Sequence, residues 1–241
     1  MRPCTAKQLL LSTIVVFHLT GVFAQGPVMQ FTENSFTNDQ YASLKERVGA
    51  GKEIPTQYEK QILLALSYFP ELVHTHIIFR IKPAHSPLSS RPSWMSIIRR
   101  KATRIYIITI SDSSEDPLMP LLFHQQPFNA QVGVIGHELS HVCDFNSKGS
   151  LGLMRIGVGN LSEKFLDRFE YKTDSICLAH GLGYQLLSWS IFVRTTLHYE
   201  NWDGADNIDK GPMMRERYMN PSTIRKRMSE MPVYRNIGQH Q

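Results

Sequence analysis

The stretch of residues 136–141, with the sequence GHELSH, sets the expectations for this chain. Residues four apart in an α-helix lie one turn above each other, so the imidazoles of His137 and His141 face the same side and can bind one metal ion. Glu138 lies next to that position and can take a proton from water. The spacing therefore indicates a catalytic zinc site carried on a helix.

The sequence around this motif has the pattern of a helix. Apolar positions recur at helical spacing, and Asn129 can supply a side-chain N-cap. We predict a helix over residues 130 to about 145, ended by the polar and glycine-containing residues up to Gly149. The alternative is a core helix whose two histidines are satisfied by neighbouring side chains.

A catalytic zinc ion takes three protein ligands and keeps one position open, so a third ligand is expected further along the chain. Glu170 is the candidate. It lies in a long helical pattern that starts near Ser162 and continues through Leu186. Asp174 follows four residues later on the same helix face and can orient a metal-binding histidine through its free ring N–H.

With these residues the chain resembles the gluzincin metallopeptidases, in which HExxH is followed on a later helix by Glu-x-x-x-Asp. It is most similar to the prenyl-protein and heat-shock membrane peptidases and to their small soluble relatives, the minigluzincins. The resemblance implies that His137, His141 and Glu170 bind Zn²⁺, that Glu138 is the general base, and that Asp174 holds the first histidine.

The resemblance also implies a fold. We expect an α+β, zincin-like architecture, in which a small sheet packs on the HExxH helix and a second long helix carries the glutamate ligand. Upstream, residues 41–48 and 57–68 are predicted helices, and residues 73–81 and 104–110 are predicted strands. In the resembled family, a strand like the second one lines the cleft and pairs with an extended polypeptide substrate.

The group that stabilises the oxyanion stays open. In the resembled peptidases a His-Pro element near the end is followed by an arginine six residues after the histidine. Here Asn220 stands in place of the histidine and Lys226 in place of the arginine. The candidates for a hydrogen-bond donor are therefore Asn220, Tyr218, Tyr199 and His198.

The N-terminus has the pattern of a secretory signal peptide over residues 1–24. Arg2 and Lys7 precede an apolar stretch over residues 9–19, and Ala24 ends a cleavage site of small residues; an uncleaved anchor is the alternative. No later apolar run is long enough for a transmembrane segment. We expect a secreted or periplasmic protein whose residues 25–241 form a single metallopeptidase-like domain.

The net charge and the cysteines of the chain give two further expectations. The formal net charge is +5, of which Arg2 and Lys7 carry two, and this mild excess predicts no binding to nucleic acid. The basic cluster at residues 99–104 is interpreted as the solvated entry to a strand. Cys143 and Cys177 either form a disulfide or stay as two buried free thiols, and neither is interpreted as a metal ligand.

Three functions remain open from the sequence. The first is a secreted zinc metalloendopeptidase that hydrolyses extended polypeptides, with Zn²⁺ as its cofactor. The second is a zinc hydrolase of another type, such as an aminopeptidase or an amidase. The third is a non-catalytic binding protein stabilised by a structural metal. The segments from residue 25 to about 40 and after Met231 are interpreted as loose ends, and the alternative is that one of them lies over the cleft.

Overall fold

The computed structural model describes residues 26–113, 118–204 and 216–235, and over these residues the protein is α+β. The predicted signal peptide over residues 1–24 lies outside this part of the chain. Within the described ranges, no helix has both the length and the apolar character needed to cross a bilayer.

The described residues form seven α-helices and a four-stranded sheet, with short 3-10 turns between several of them. The helices are α1 Asn38–Val48, α2 Glu59–Leu66, α3 Phe128–Ser147, α4 Ser150–Gly159, α5 Glu163–Ala179, α6 Gly183–Leu197 and α7 Pro221–Glu230. The strands are β1 Lys52–Glu53, β2 His76–Ile81, β3 Leu88–Pro92 and β4 Ile105–Ile110.

The sheet has the order β1-β2-β4-β3, with β3 antiparallel to β4 and the other neighbours parallel. Strand β4 is paired along its length with β2 on one side and with β3 on the other. The expectation that β4 pairs with substrate is therefore wrong, because both rows of its backbone hydrogen-bonding groups are already used. The edge strand that packs against α3 is β3, which the sequence analysis did not predict.

Helix α3 lies at the centre of the molecule and packs against α2, α5, α6 and β3. It starts at Phe128, and Asn129 does not cap it as predicted. The Asn129 Oδ1 instead accepts hydrogen bonds from the Phe31 backbone N–H at 2.9 Å and from Gln185 Nε2 at 3.1 Å. Most residues of α3 are buried, so burial does not distinguish the residues that pack in the core from those of the candidate site.

Two glycines allow α3 to approach α6 and the α5–α6 turn. A Cβ on Gly133 would lie 2.2 Å from the Gln185 carbonyl oxygen, and a Cβ on Gly136 would lie 2.5 Å from Leu182 Cδ1. At Gly133 the neighbouring atom belongs to the backbone, so no side chain fits there, whereas at Gly136 it is the end of the Leu182 side chain, which would have to shift. The close approach of α3 to α6 therefore depends on glycine at position 133.

The predicted long helix through Glu170 is in fact two helices. Helix α5 ends at Ala179, and Gly181 adopts a φ of +92° before α6 begins at Gly183. Glycine takes this left-handed conformation without the steric cost that other residues meet. The helical spacing of apolar residues continues across the turn because α5 and α6 both pack against α3.

Other boundaries differ for local reasons. Residues 57–68 form a 3-10 turn followed by α2, and the first predicted strand begins at His76 because residues 70–72 form another 3-10 turn. The stretches 82–102 and 146–160, for which no helix or strand was predicted, contain β3 and α4 respectively. Both elements are short, and neither shows a simple alternation of apolar and polar residues.

The two segments that read as loose ends are packed where the structure describes them. Phe31 is 1% exposed, and the Tyr68 hydroxyl donates to the Gly26 carbonyl at 3.2 Å. Near the other end, the Tyr234 hydroxyl donates to the Leu178 carbonyl at 2.6 Å and accepts from the Gly183 N–H at 2.8 Å. For residues 232–235 the prediction of a loose end is wrong, because Tyr234 binds them to the α5–α6 turn.

The two cysteines of the described chain are free. The Cys177 thiol is fully buried, while the Cys143 Sγ lies 3.2 Å from Glu71 Oε1. The sequence left open a disulfide or two free thiols, and the structure has free thiols at both positions.

Gly133→Ala is expected to destabilise the protein by about 1–3 kcal/mol, because the added methyl group forces α3 and α6 apart. Gly157→Ala in α4 is the matched control, since a Cβ there meets nothing within 4 Å. That control should be neutral or gain up to about 1 kcal/mol from the higher helix propensity of alanine. Urea unfolding followed by circular dichroism measures both, and equal stability of the two variants would contradict the packing described.

Candidate metal centre

Helices α3 and α5 bring the three predicted ligands together. The Glu170 Oε2 lies 3.1 Å from His137 Nε2 and 3.2 Å from His141 Nε2. All three side chains are buried, and their ligand atoms lie within 4.8 Å of one another. The residues that the spacing indicated thus converge on one point, between the middle of α3 and the first half of α5.

The other ring nitrogen of each histidine is held by α5. The Nδ1 of His137 lies 2.8 Å from Asp174 Oδ1, and the Nδ1 of His141 lies 3.1 Å from Thr173 Oγ1. Thr173 donates its own hydroxyl proton to the Phe169 carbonyl at 2.9 Å, so its oxygen accepts from His141. In their neutral form, both imidazoles therefore carry the proton on Nδ1 and turn the Nε2 lone pair towards Glu170.

This arrangement leaves three acceptors facing one another. Two imidazole lone pairs and a carboxylate oxygen repel each other unless a proton or a cation lies between them. Ligands held at 2.0–2.1 Å in a tetrahedral zinc site are about 3.3 Å apart. The observed spacings of 3.1 and 3.2 Å are close to that value, so the donor set fits a zinc ion.

The titration of the cluster follows from the same contacts. Burial lowers the pKa of His137, but its hydrogen bonds to Asp174 and Glu170 more than offset this, and the pKa is raised. Burial raises the pKa of Glu170, but its contacts with His137 and His141 outweigh it, and the pKa is lowered. Glu170 is therefore an anion, which is the form in which a carboxylate can bind a metal.

Glu138 lies beside the cluster at the wall of a cavity of about 200 Å³. Its Oε2 is buried, and among the described residues it has no hydrogen-bond partner. An unpaired carboxylate oxygen is costly in such a place unless water or a ligand completes it. The cavity is also lined by His137 and by mostly apolar side chains, among them Leu88, Leu121, Val134, Trp189, Val193 and Leu197.

Of the four candidates for the oxyanion donor, Tyr218 is the one that lines this cavity. Its ring centroid lies 5.8 Å from that of His137. Burial raises the pKa of Tyr218 well above its usual value, and the negative charges of Glu170 and Glu138 raise it further. The phenol therefore keeps its proton and can donate a hydrogen bond.

The other three candidates point elsewhere. Tyr199 is 55% exposed, and it lines a separate shallow surface depression together with His198. Asn220 is not among the residues that line the cavity, and its Oδ1 accepts from Arg194 Nη2 at 2.7 Å and from the Trp202 N–H at 2.8 Å. Asn220 is thus a structural residue rather than a lining residue of the cavity.

The segment that carries Tyr218 is fixed from both sides. The Met219 N–H donates to Asp174 Oδ2 at 2.8 Å, so one carboxylate orients both His137 and this segment. Arg194 of α6 binds Asn220 with two of its nitrogens, whereas Lys226 of α7 is exposed. The guanidinium beside Asn220 therefore comes from α6 and not from the position six residues after it.

The sequence analysis missed Thr173, Trp189 and Arg194. Thr173 had a readable signal, since it lies three residues after Glu170 on the helix that was already assigned to the site. Trp189 and Arg194 had none, because α6 reaches the cavity only through the turn at Gly181.

A second group of residues with metal-binding side chains lies outside the cavity. The Glu71 Oε1 is 2.7 Å from His180 Nε2 and 3.2 Å from Cys143 Sγ. The distance of 2.7 Å is shorter than the separation of two ligand atoms in a tetrahedral zinc site, and it is typical of a charged hydrogen bond. The His180 Nδ1 donates to the Ile176 carbonyl at 2.8 Å, which leaves Nε2–H as a donor to Glu71 in the imidazolium form. We interpret the group as an ion pair that closes the end of α5.

Glu71→Gln is expected to lower stability most between about pH 4.5 and 6.5. Burial lowers the pKa of His180, but Glu71 and the Ile176 carbonyl outweigh it, so the pKa is raised above 6.5. Burial raises the pKa of Glu71, but His180 outweighs it, so the pKa is lowered below 4.5. The pair is thus fully charged between these values, weakens as His180 deprotonates at higher pH, and weakens as Glu71 protonates at lower pH.

The loss should stay below about 1 kcal/mol, because Glu71 is half exposed and solvent screens the pair. Thermal unfolding across this pH range measures it. Glu53→Gln, which removes a carboxylate beside the exposed His76, is the matched control and should change less. A loss for Glu71→Gln that is the same at pH 5.5 and pH 9 would contradict the ion pair.

Comparisons of the chain with protein families, with curated proteins and with solved structures find no match. A function for the site is therefore inferred from its geometry and chemistry.

Proposed function

We propose that this chain is a zinc-dependent metalloendopeptidase of the gluzincin type. The observation that carries the proposal is the meeting of three acceptor atoms, from His137, His141 and Glu170, beside a cavity lined by Glu138, whose Oε2 has no hydrogen-bond partner among the described residues. A cation satisfies the first feature, and a water molecule that Glu138 can deprotonate satisfies the second. Both are required of a hydrolytic zinc site.

Each residue of the site has a separate role in the proposed reaction. When bound by His137, His141 and Glu170, zinc supplies Lewis acidity that polarises a carbonyl group and lowers the pKa of water to about 7. Glu138 accepts a proton from the attacking water and returns it to the leaving amine. Tyr218 donates its phenolic hydrogen to the negative charge that develops on the carbonyl oxygen. Asp174 and Thr173 keep the two imidazoles in the tautomer that binds a metal.

The cavity favours an endopeptidase over the two other functions. An aminopeptidase needs acidic groups for the free amine of its substrate, and among the described residues lining the cavity Glu138 is the only acid. A structural zinc site is closed by four protein ligands. Within the described part of the chain only three ligands converge on this point, which supports an open position for substrate.

Substrate binding is proposed for the edge strand β3 and the apolar cavity. Strand β3 packs against α3, and Leu88 at its start lines the cavity. An extended polypeptide can add to such an edge through backbone hydrogen bonds. A cavity of about 200 Å³ is below the usual size of a pocket for a whole ligand, so it suits one apolar side chain of the substrate. This arrangement also supports a zincin-like fold.

Export through a cleavable signal peptide, as predicted from residues 1–24, remains part of the proposal. A secreted or periplasmic peptidase would meet extended polypeptide substrates there. The free Cys143 and Cys177 are compatible with such a compartment, because Cys177 is fully buried and the Cys143 Sγ is engaged with Glu71.

Glu138→Gln is expected to retain one zinc per chain and to lower kcat by about 10²–10⁴-fold, because the amide cannot accept the proton of water. Zinc content is measured by atomic absorption, and turnover with a mixed peptide pool analysed by mass spectrometry. Glu46→Gln makes the same chemical change at an exposed position of α1 and should leave both quantities unchanged.

The outcomes separate the parts of the proposal. Absence of zinc from the purified wild-type protein would contradict the metal centre. Zinc without hydrolysis would favour the non-catalytic function, and release of single N-terminal residues would favour an aminopeptidase. Full hydrolysis by Glu138→Gln would contradict the assigned base.

Tyr218→Phe is expected to lower kcat by about 10²–10³-fold with little change in KM, since the lost hydrogen bond acts on charge that develops during the reaction. Tyr199→Phe is the matched control and should behave as wild type, because Tyr199 lines a different depression. Steady-state kinetics on a fluorogenic peptide measures both variants. A larger loss in Tyr199→Phe than in Tyr218→Phe would overturn the assignment of the donor.

A further inference from the structure

Helix α4 is apolar on two opposite faces. Leu153 and Ile156 are buried against the rest of the protein, whereas Leu151, Met154 and Val158 are 64%, 51% and 70% exposed. The spacing of three and then four residues puts the exposed trio on one side of the helix. The buried pair lies on the other side, so the exposed apolar residues are not part of the core.

Such a helix is unusual at a protein surface. Its one charged residue is Arg155, and Leu161 just after the helix is 89% exposed. A helix that is apolar all round is normally covered, either by protein or by lipid. Contiguous exposed apolar surface of this kind indicates an interaction site.

A second exposed apolar group lies next to the base of α4. Trp94, Met95 and Ile98 are 75%, 66% and 75% exposed. Their loop is held to the α3–α4 junction, because Lys101 Nζ donates to the Ser147 carbonyl at 2.8 Å and Arg104 Nη1 donates to the Lys148 carbonyl at 2.6 Å. We refer to residues 91–101 and 150–161 together as the apolar-basic surface.

The charges on this surface all have one sign. Arg91, Arg99, Arg100 and Arg155 are exposed, and Arg91 lies 5.7 Å from the centre of the Trp94 ring. Residues 73–111 and 145–162 contain neither Asp nor Glu. Exposed apolar side chains among cations without any anions are the composition of segments that lie in the interface of an anionic membrane.

We propose that the apolar-basic surface docks the protein on an anionic lipid bilayer. The apolar side chains of α4 and of the Trp94 loop enter the boundary between headgroups and acyl chains, and the arginines contact the lipid phosphates. A second copy of the chain is a poorer partner, because a contact between two such surfaces brings like charges together. The proposal is independent of the peptidase activity, and it describes attachment to one face of a bilayer and not insertion across it.

The test is co-sedimentation of the chain from residue 25 onwards with vesicles of phosphatidylcholine, with and without phosphatidylglycerol. Wild type is expected to bind the vesicles that contain phosphatidylglycerol, and binding should weaken as salt is added. Leu151→Ser/Met154→Ser/Val158→Ser and Arg99→Gln/Arg100→Gln/Arg155→Gln should each weaken the partition by about tenfold or more. All six positions are exposed, so folding should be retained, and circular dichroism checks this.

Two triple variants at exposed positions outside this surface are the matched controls. The control for loss of apolar side chains is Met29→Ser/Ile191→Ser/Val233→Ser. The control for loss of positive charge is Arg47→Gln/Arg225→Gln/Lys226→Gln. Both should bind as wild type. The proposal is overturned if wild type fails to sediment with anionic vesicles or if the two sets of variants lose binding equally. It is also overturned if the Leu151→Ser triple variant abolishes a dimer seen in solution, or if polyglutamate binds and vesicles do not. Hydrolysis of a soluble peptide, measured in parallel, reports separately on the proposed function.

Discussion

The hydrogen bond between His137 and Asp174 is the interaction on which the site depends. A carboxylate that is 1% exposed is tolerated only when both of its oxygens are satisfied. One oxygen of Asp174 accepts from His137, and the other accepts from the Met219 backbone. A single buried anion thus joins α3, α5 and the segment before α7, which carries Tyr218. The proposed metal ligands, the proposed base and the cavity wall are held in one arrangement because Asp174 joins these three parts of the chain.

That interaction requires the helices to approach closely, and glycine makes this possible. Gly133 and Gly136 lie on the turns of α3 that precede and include the motif, where Gln185 and Leu182 press against the helix backbone. The same helix therefore presents small residues to α6 and its preceding turn and metal-binding residues to α5. Packing and chemistry occupy different faces of α3, which explains why nearly every residue of this helix is buried.

The parts that could be predicted from the sequence are those fixed by spacing within one helix. His137 and His141 had to share a face of α3, and Glu170 and Asp174 had to share a face of α5, whatever the rest of the chain did. That the two faces meet depends on tertiary packing, and it was expected from the need of a catalytic zinc ion for a third ligand and from the resemblance to gluzincins. Strand β3 and helix α4 were missed because their burial is set by neighbours and not by a periodic pattern. The break at Gly181 was missed because apolar spacing continues across it. Tyr218 could be named but not preferred over Asn220, since the choice depends on Arg194, a residue distant in sequence.

The packing of Tyr234 against the α5–α6 turn has a consequence for biosynthesis. The ligand residues and Glu138 emerge from the ribosome well before the segment of residues 216–235, yet this segment supplies one wall of the cavity and the second contact of Asp174. A nascent polypeptide consequently contains the histidines before the cavity beside them is complete. The proposed hydrolysis would therefore require that nearly the whole chain has been synthesised.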